Sequence, residues 1–249
     1  MMEIKMTENI ATREITYTDS NGQKLIGYFA SPLNAKDAPA VLVCHEWWGR
    51  NDYPERRARE LAEAGYVAFA LDMYGDKKTA TDPQTANAYM METFATPDLI
   101  VDRANKALET LVAQPEVDAA RVAIIGFCYG GKVALDLARS GADVKVAATF
   151  HTNLSAQAPA QADTFKAEVL VAHGADDSMV SLDDVETFKQ EMNTAKVQHH
   201  VEVYPNTKHG FTNPSADEKA EKYGVDLGYN ATSEKASLDA LYALLARKF

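Results

Sequence analysis

Apolar residues fall along this chain in two rhythms. Short runs come first, apolar throughout in Ala40-Val41-Leu42-Val43-Cys44, Val67 to Leu71 and Val122 to Ile125, and mostly apolar in Val144 to Phe150 and Glu168 to Ala172. They are rich in β-branched residues and lack the alternation of a half-exposed strand, which suits strands buried on both faces of a parallel sheet. Between them, apolar positions recur three and four residues apart. That spacing predicts helices over Glu55 to Ala64 (stopped by Gly65), Thr85 to Phe94, Pro97 to Ala113, the stretch from Gly131, Ser181 to Asn193, and Glu234 to Lys248. Glu14 to Tyr17 and Lys24 to Ala30 flank Ser20-Asn21-Gly22 and predict a hairpin, and His200 to Tyr204 alternates as a half-exposed strand. Strand and helix in repeated succession predict an α/β chain, a doubly wound and mostly parallel sheet flanked by helices, in a single domain over residues 1–249. In such sheets chemistry gathers at the carboxyl ends of the strands.

The candidate chemistry falls at those ends. Val122-Ala123-Ile124-Ile125 runs into Gly126-Phe127-Cys128-Tyr129-Gly130 and then into helical spacing. This is a glycine-flanked nucleophile pattern with cysteine in the middle. A strand that turns at once into a helix strains its middle residue and presents that side chain outward. Side chains at Gly126 and Gly130 would collide with strand or helix. The helix N-terminus favours a thiolate and a developing oxyanion. The plainer reading is a glycine-rich turn holding a small buried cysteine, so partners for Cys128 carry the argument. Val169 to Ala172 leads into His173-Gly174-Ala175-Asp176-Asp177-Ser178-Met179-Val180, where the G-x-x-D-x-x-V spacing selects Asp177 as an acid and leaves Asp176 to cap the turn. After the last strand comes Pro205-Asn206-Thr207-Lys208-His209-Gly210-Phe211. The order nucleophile, acid, histidine is that of the α/β-hydrolases, with His209 as the base for Cys128.

Gly-Phe-Cys-Tyr-Gly-Gly, together with these motifs, resembles the dienelactone hydrolase family of the α/β-hydrolase fold, from roughly Ile15 to the C-terminus. The resemblance implies a Cys128–His209–Asp177 triad that needs no cofactor and no metal. It also implies an oxyanion hole made by the backbone N–H groups of Trp47 and Tyr129, and a glutamate, Glu46, that touches the resting thiol. A carboxylate beside Cys128 would keep the thiol protonated until substrate displaces it. The alternative for Glu46 is a solvated loop glutamate. His45 reads as a structural loop residue, because no second ligand pair accompanies it at metal spacing. The family holds a substrate carboxylate with two arginines. Their positions match Asp76 and Asn213, which leaves Lys77 or Lys78 as partial substitutes and points to a neutral or aryl ester. Trp48, Tyr74, Phe211 and Tyr129 are expected to form an aromatic wall, with His151 as a further pocket residue. A neutral phosphotriester is a conceivable side substrate at the same site.

Composition narrows the alternatives. A net charge of −11 opposes nucleic acid and anionic membrane surfaces. No run of eighteen apolar residues exists, and Met1-Met2-Glu3-Ile4-Lys5 has no signal-peptide core, so a cytoplasmic protein, monomer or homodimer, is expected to act on a small-molecule ester. The two cysteines, Cys44 and Cys128, are expected to stay reduced. Two rival classes remain. An amidotransferase-type cysteine elbow would not need the late acid and histidine motifs in this order. A binding or redox-sensing protein on a retired scaffold would have no reason to keep all three residues. Residues 212–231, polar and glycine-containing, are open between lid and surface loop.

Overall fold

The structure is a computed structural model that describes residues 5–6, 9–96 and 98–249. The expected helix start at Pro97 and the segment 1–4, read above for a signal core, lie outside the described residues. The chain forms two compact units, one up to Ile124 and one from Ile125 to Phe249.

The first unit opens with β1 (Lys5–Met6), β2 (Ile10–Thr18) and β3 (Lys24–Pro32). β2 and β3 make the expected hairpin, antiparallel from Ile10↔Pro32 to Thr18↔Lys24. Its turn is tied by the Asp19 carboxylate, which accepts from the N–H groups of Asn21 (3.0 Å) and Gln23 (2.9 Å). β4 (Ala38–Cys44), α1 (Asp52–Glu63) and β5 (Val67–Ala70) follow, with β4 parallel to β5 and β5 antiparallel to β3. α1 begins earlier than the periodicity suggests. Asn51 caps it by accepting from Tyr53 N–H at 3.0 Å, and Pro54 sits in the first turn, where a missing N–H costs nothing. α2 (Pro83–Ala95) is capped by Asp82, and α3 (Leu99–Val112) precedes β6 (Val117–Phe127), within which the boundary between the units falls.

The second unit carries α4 (Tyr129–Arg139), β7 (Val146–Phe150), β8 (Glu168–Gly174), α5 (Leu182–Thr194), β9 (His199–Tyr204), α6 (Ala216–Tyr223) and α7 (Ala231–Lys248). β7, β8 and β9 are parallel neighbours. β8 is buried along its whole length and β9 is not, as their unbroken and alternating patterns require. Leu135 of α4, Val169 and Val171 of β8, and Val185, Phe188 and Met192 of α5 form one apolar cluster. α5 starts with a reciprocal capping box between Ser181 and Asp184. Asp176 therefore caps no helix. The turn beside it is held by Asp177, whose Oδ1 accepts from the N–H groups of Met179 (2.9 Å) and Val180 (3.1 Å).

Residues 212–231 resolve into α6 and a return segment that hydrogen-bonds the histidine loop. Gly228 N–H donates to the carbonyl of His209 (3.0 Å), and Asn230 N–H donates to that of Phe211 (3.1 Å). Asn230 also caps α7 by accepting from Thr232 and Ser233.

Candidate active site

At the end of β6 the chain turns into α4 through Cys128, whose φ of 52° and ψ of −119° lie where non-glycine residues are strained. Several contacts hold it there. Cys128 N–H donates to the Phe150 carbonyl (3.0 Å), and the Thr152 hydroxyl donates to the Cys128 carbonyl (2.5 Å). A Cβ on Gly126 would stand 1.9 Å from the Gly130 carbonyl oxygen, and one on Gly131 would stand 2.3 Å from Thr152 Oγ1. The constraints on Gly131 and Thr152 escape the sequence pattern, because Thr152 meets the elbow only through the β7 turn. The thiol is half-buried.

The β8 and β9 ends bring Asp177 and His209 together. Asp177 Oδ2 accepts from His209 Nδ1 at 2.8 Å, with both residues buried. Asp176 is exposed one residue earlier. Burial works against the Asp177 charge, yet the His209 bond and the turn amides hold its carboxyl below the usual range. Burial likewise opposes a charged His209, but the Cys128 sulfur and the Asp177 carboxylate outweigh it and push the ring up to about 10. Among the described residues, His209 Nε2 is buried and meets no nitrogen or oxygen partner, and the Cys128 sulfur is the group that acts on that side of the ring.

Around this pair, His151 follows β7 with a φ of 41° and sits edge-on to the His209 ring (centroids 5.1 Å), its Nε2 2.8 Å from Thr212 Oγ1. Phe211 is fully buried against His151 (5.3 Å) and Tyr204 (5.7 Å). His173 packs under the acid turn, and burial drives its pKa down. Asn213 turns its side-chain oxygen to Ser215 N–H (3.0 Å) ahead of α6. Tyr129 is the first residue of α4 and is buried.

In the first unit, the loop after β4 carries the other candidates. Glu46 is only 5% exposed, which removes the solvated-loop alternative. Trp48 is buried and packs edge-on to Trp47 (5.0 Å). The Tyr74 hydroxyl donates to the Trp47 carbonyl at 3.0 Å. His45 is fully buried, with Nδ1 2.6 Å from the Glu46 carbonyl and Nε2 accepting from Met73 N–H at 3.2 Å, so it is the structural loop residue its sequence suggests. The loop after β5 is organised by Asp72, whose carboxylate accepts from the N–H groups of Ile26, Tyr74, Gly75 and Lys77. Asp76 is exposed and pairs with Lys24 (2.8 Å). Lys77 pairs with Glu14 (2.6 Å), and Lys78 lies over the Tyr89 ring (5.7 Å).

Comparison with known proteins defines the class first. The chain has an α/β-hydrolase fold. An α/β-hydrolase enzyme from a Medee basin deep-sea metagenome library, 19% identical, superposes with a TM-score of 0.71 over 99% of this chain and 97% of its own, a likeness of fold alone. The family model of the dienelactone hydrolases then matches residues 25–249, and the chain belongs to that family, whose members hydrolyse ester or lactone bonds. A protein of Aquifex aeolicus, named as a carboxymethylenebutenolidase, is 31% identical over 80% of this chain and 87% of its own length. P91, a dienelactone hydrolase-like promiscuous phosphotriesterase from metagenomic libraries, is 35% identical, with a TM-score of 0.90 over 97% of this chain and 99% of its own. Among the described residues, no helix is long and apolar enough to cross a membrane.

Proposed function

We propose that this chain is a cysteine-nucleophile hydrolase of carboxylic esters or enol lactones, working as one α/β-hydrolase domain in the cytoplasm. The observation that carries the reading is the 2.8 Å Asp177–His209 bond with the Cys128 sulfur acting on the other side of the same ring, at a strained strand-to-helix turn. Asp177 holds the ring with hydrogen on Nδ1, so Nε2 is the nitrogen that exchanges a proton with the Cys128 sulfur. The thiolate adds to the substrate carbonyl. The N–H groups of Trp47 and Tyr129, assigned by family resemblance, stabilise the oxyanion, each by roughly 3 kcal/mol. The imidazolium then protonates the departing alkoxide or enolate, leaving a thioester. His209 next removes a proton from water as it attacks the thioester, and the returning proton restores the thiol. Glu46, which is buried, is assigned by resemblance as the carboxylate that modulates the thiol.

Several side chains support a neutral or aryl ester. Asp76 and Asn213 stand where the family resemblance places arginines. Lys77 is committed to Glu14, and Asn213 to Ser215. Tyr74, Trp48, Tyr129 and Phe211 supply aromatic surface, and His151 backs the base. The likeness to P91 favours a second reading as a side activity: a neutral phosphotriester with an aryloxide leaving group, attacked by the same thiol.

The test is hydrolysis of p-nitrophenyl acetate and butyrate by the wild type and Cys128→Ala, with paraoxon and a dienelactone alongside. Ester turnover lost in the variant is the expected result. Equal activity in both proteins, or none in either, removes Cys128 from the chemistry and leaves a binding or redox-sensing protein.

A further inference from the structure

We infer that His45 is a positioning residue for the oxyanion hole: through its Nδ1–H it fixes the plane of the peptide that joins Glu46 to Trp47. The inference rests on the reading of Trp47 N–H as an oxyanion donor and goes beyond it by naming what aims that donor.

The carbonyl of Glu46 and the N–H of Trp47 belong to one rigid peptide unit. No cis bond occurs among the described residues, so the N–H points opposite to the carbonyl. Whatever fixes the carbonyl therefore fixes the direction of the N–H. Two donors converge on this carbonyl, His45 Nδ1 at 2.6 Å and Gly49 N–H at 3.1 Å. The imidazole cannot turn over, because its Nε2 accepts from Met73 N–H at 3.2 Å in the neighbouring loop. That bond requires a lone pair on Nε2 and so places the hydrogen on Nδ1. The ring is fully buried and sits edge-on to Tyr74 (4.8 Å). Tyr74 in turn donates to the Trp47 carbonyl at 3.0 Å, so the peptides on both sides of the Trp47 Cα are held. Burial, with the Arg50 charge beside it, lowers the His45 pKa to about 4, so this arrangement does not change at neutral pH. A donor on the carbonyl also polarises the peptide and strengthens its N–H as a donor.

The experiment separates acyl transfer from thiol reactivity. Alkylation of Cys128 by iodoacetamide forms no oxyanion, whereas attack on p-nitrophenyl acetate does. His45→Phe keeps a ring against Tyr74 and removes both nitrogens. His45→Asn restores a donor near the Nδ1 position. In His45→Phe, kcat for the ester falls by about tenfold or more while KM and the alkylation rate stay within about twofold of wild type, and His45→Asn recovers most of the loss. A parallel fall in alkylation and ester turnover, an unchanged kcat, or an Asn variant no better than Phe overturns the assignment. If the Phe variant does not fold, His45→Leu against His45→Asn poses the same question with side chains of equal size. Full activity in Cys128→Ala is a different failure: it removes the hydrolase reading itself, whatever the His45 variants do.

Discussion

His209 shows how far a single side chain departs from its ordinary chemistry here. Its pKa is raised from 6.5 to about 10, although the ring is buried. A group whose folded pKa is raised stabilises the fold fully below its unfolded value, and that contribution is lost as pH rises through the folded value. The stability gap between wild type and His209→Gln is therefore widest below pH 6.5 and closes as pH approaches 10, measured by urea unfolding across that range. A gap that widens with pH would contradict the Asp177–His209–Cys128 charge arrangement. The Asp177–His209 pair was legible in the sequence because each residue follows a strand and keeps a short fixed spacing: Gly174 to Asp177, and His209 to Phe211. The burial of Glu46 was not. Its neighbours in sequence say only that a loop follows β4, and enclosure comes from side chains brought in by the fold.

At the scale of elements, the acid turn and the base loop are joined by more than their central bond. Asp226, in the segment after α6, accepts from the Ser178 hydroxyl (2.6 Å) with one oxygen and from Lys208 Nζ (2.7 Å) with the other. Ser178 follows the acid and Lys208 precedes the base, so one carboxylate clasps both loops. The clasp is exposed, and each contact is weak. Asp226→Ala is expected to lower kcat for p-nitrophenyl acetate by about two- to fivefold with KM unchanged, and high salt to lower wild-type kcat toward the variant's. The strand and helix pattern of both units was readable because buried parallel strands leave unbroken apolar runs. α6 was missed because only Ala216 among its residues is buried, so it leaves no apolar stripe to read. The clasp and the Gly131–Thr152 contact were invisible for another reason: their partners are far apart in the chain, and no local period records them.

For the whole molecule, the net charge of −11 bears on which esters arrive. Like charge raises the work of bringing an anionic substrate to the surface, and salt screens it. Against p-nitrophenyl acetate, an anionic ester such as the hemisuccinate is expected to show a lower kcat/KM at low ionic strength, with the ratio moving toward unity as salt is added. A ratio that salt does not move would mean that local side chains, rather than the overall field, set the preference. The two cysteines also divide the labour cleanly. Cys44 is fully buried, and burial pushes its thiol well above the ordinary range, whereas Cys128 is half-buried at the elbow. A thiol reagent given to the native protein should therefore consume one equivalent and, after denaturation, two. With Cys128 as the proposed nucleophile, the first equivalent counts competent sites, and turnover numbers can be normalised to those molecules rather than to total protein.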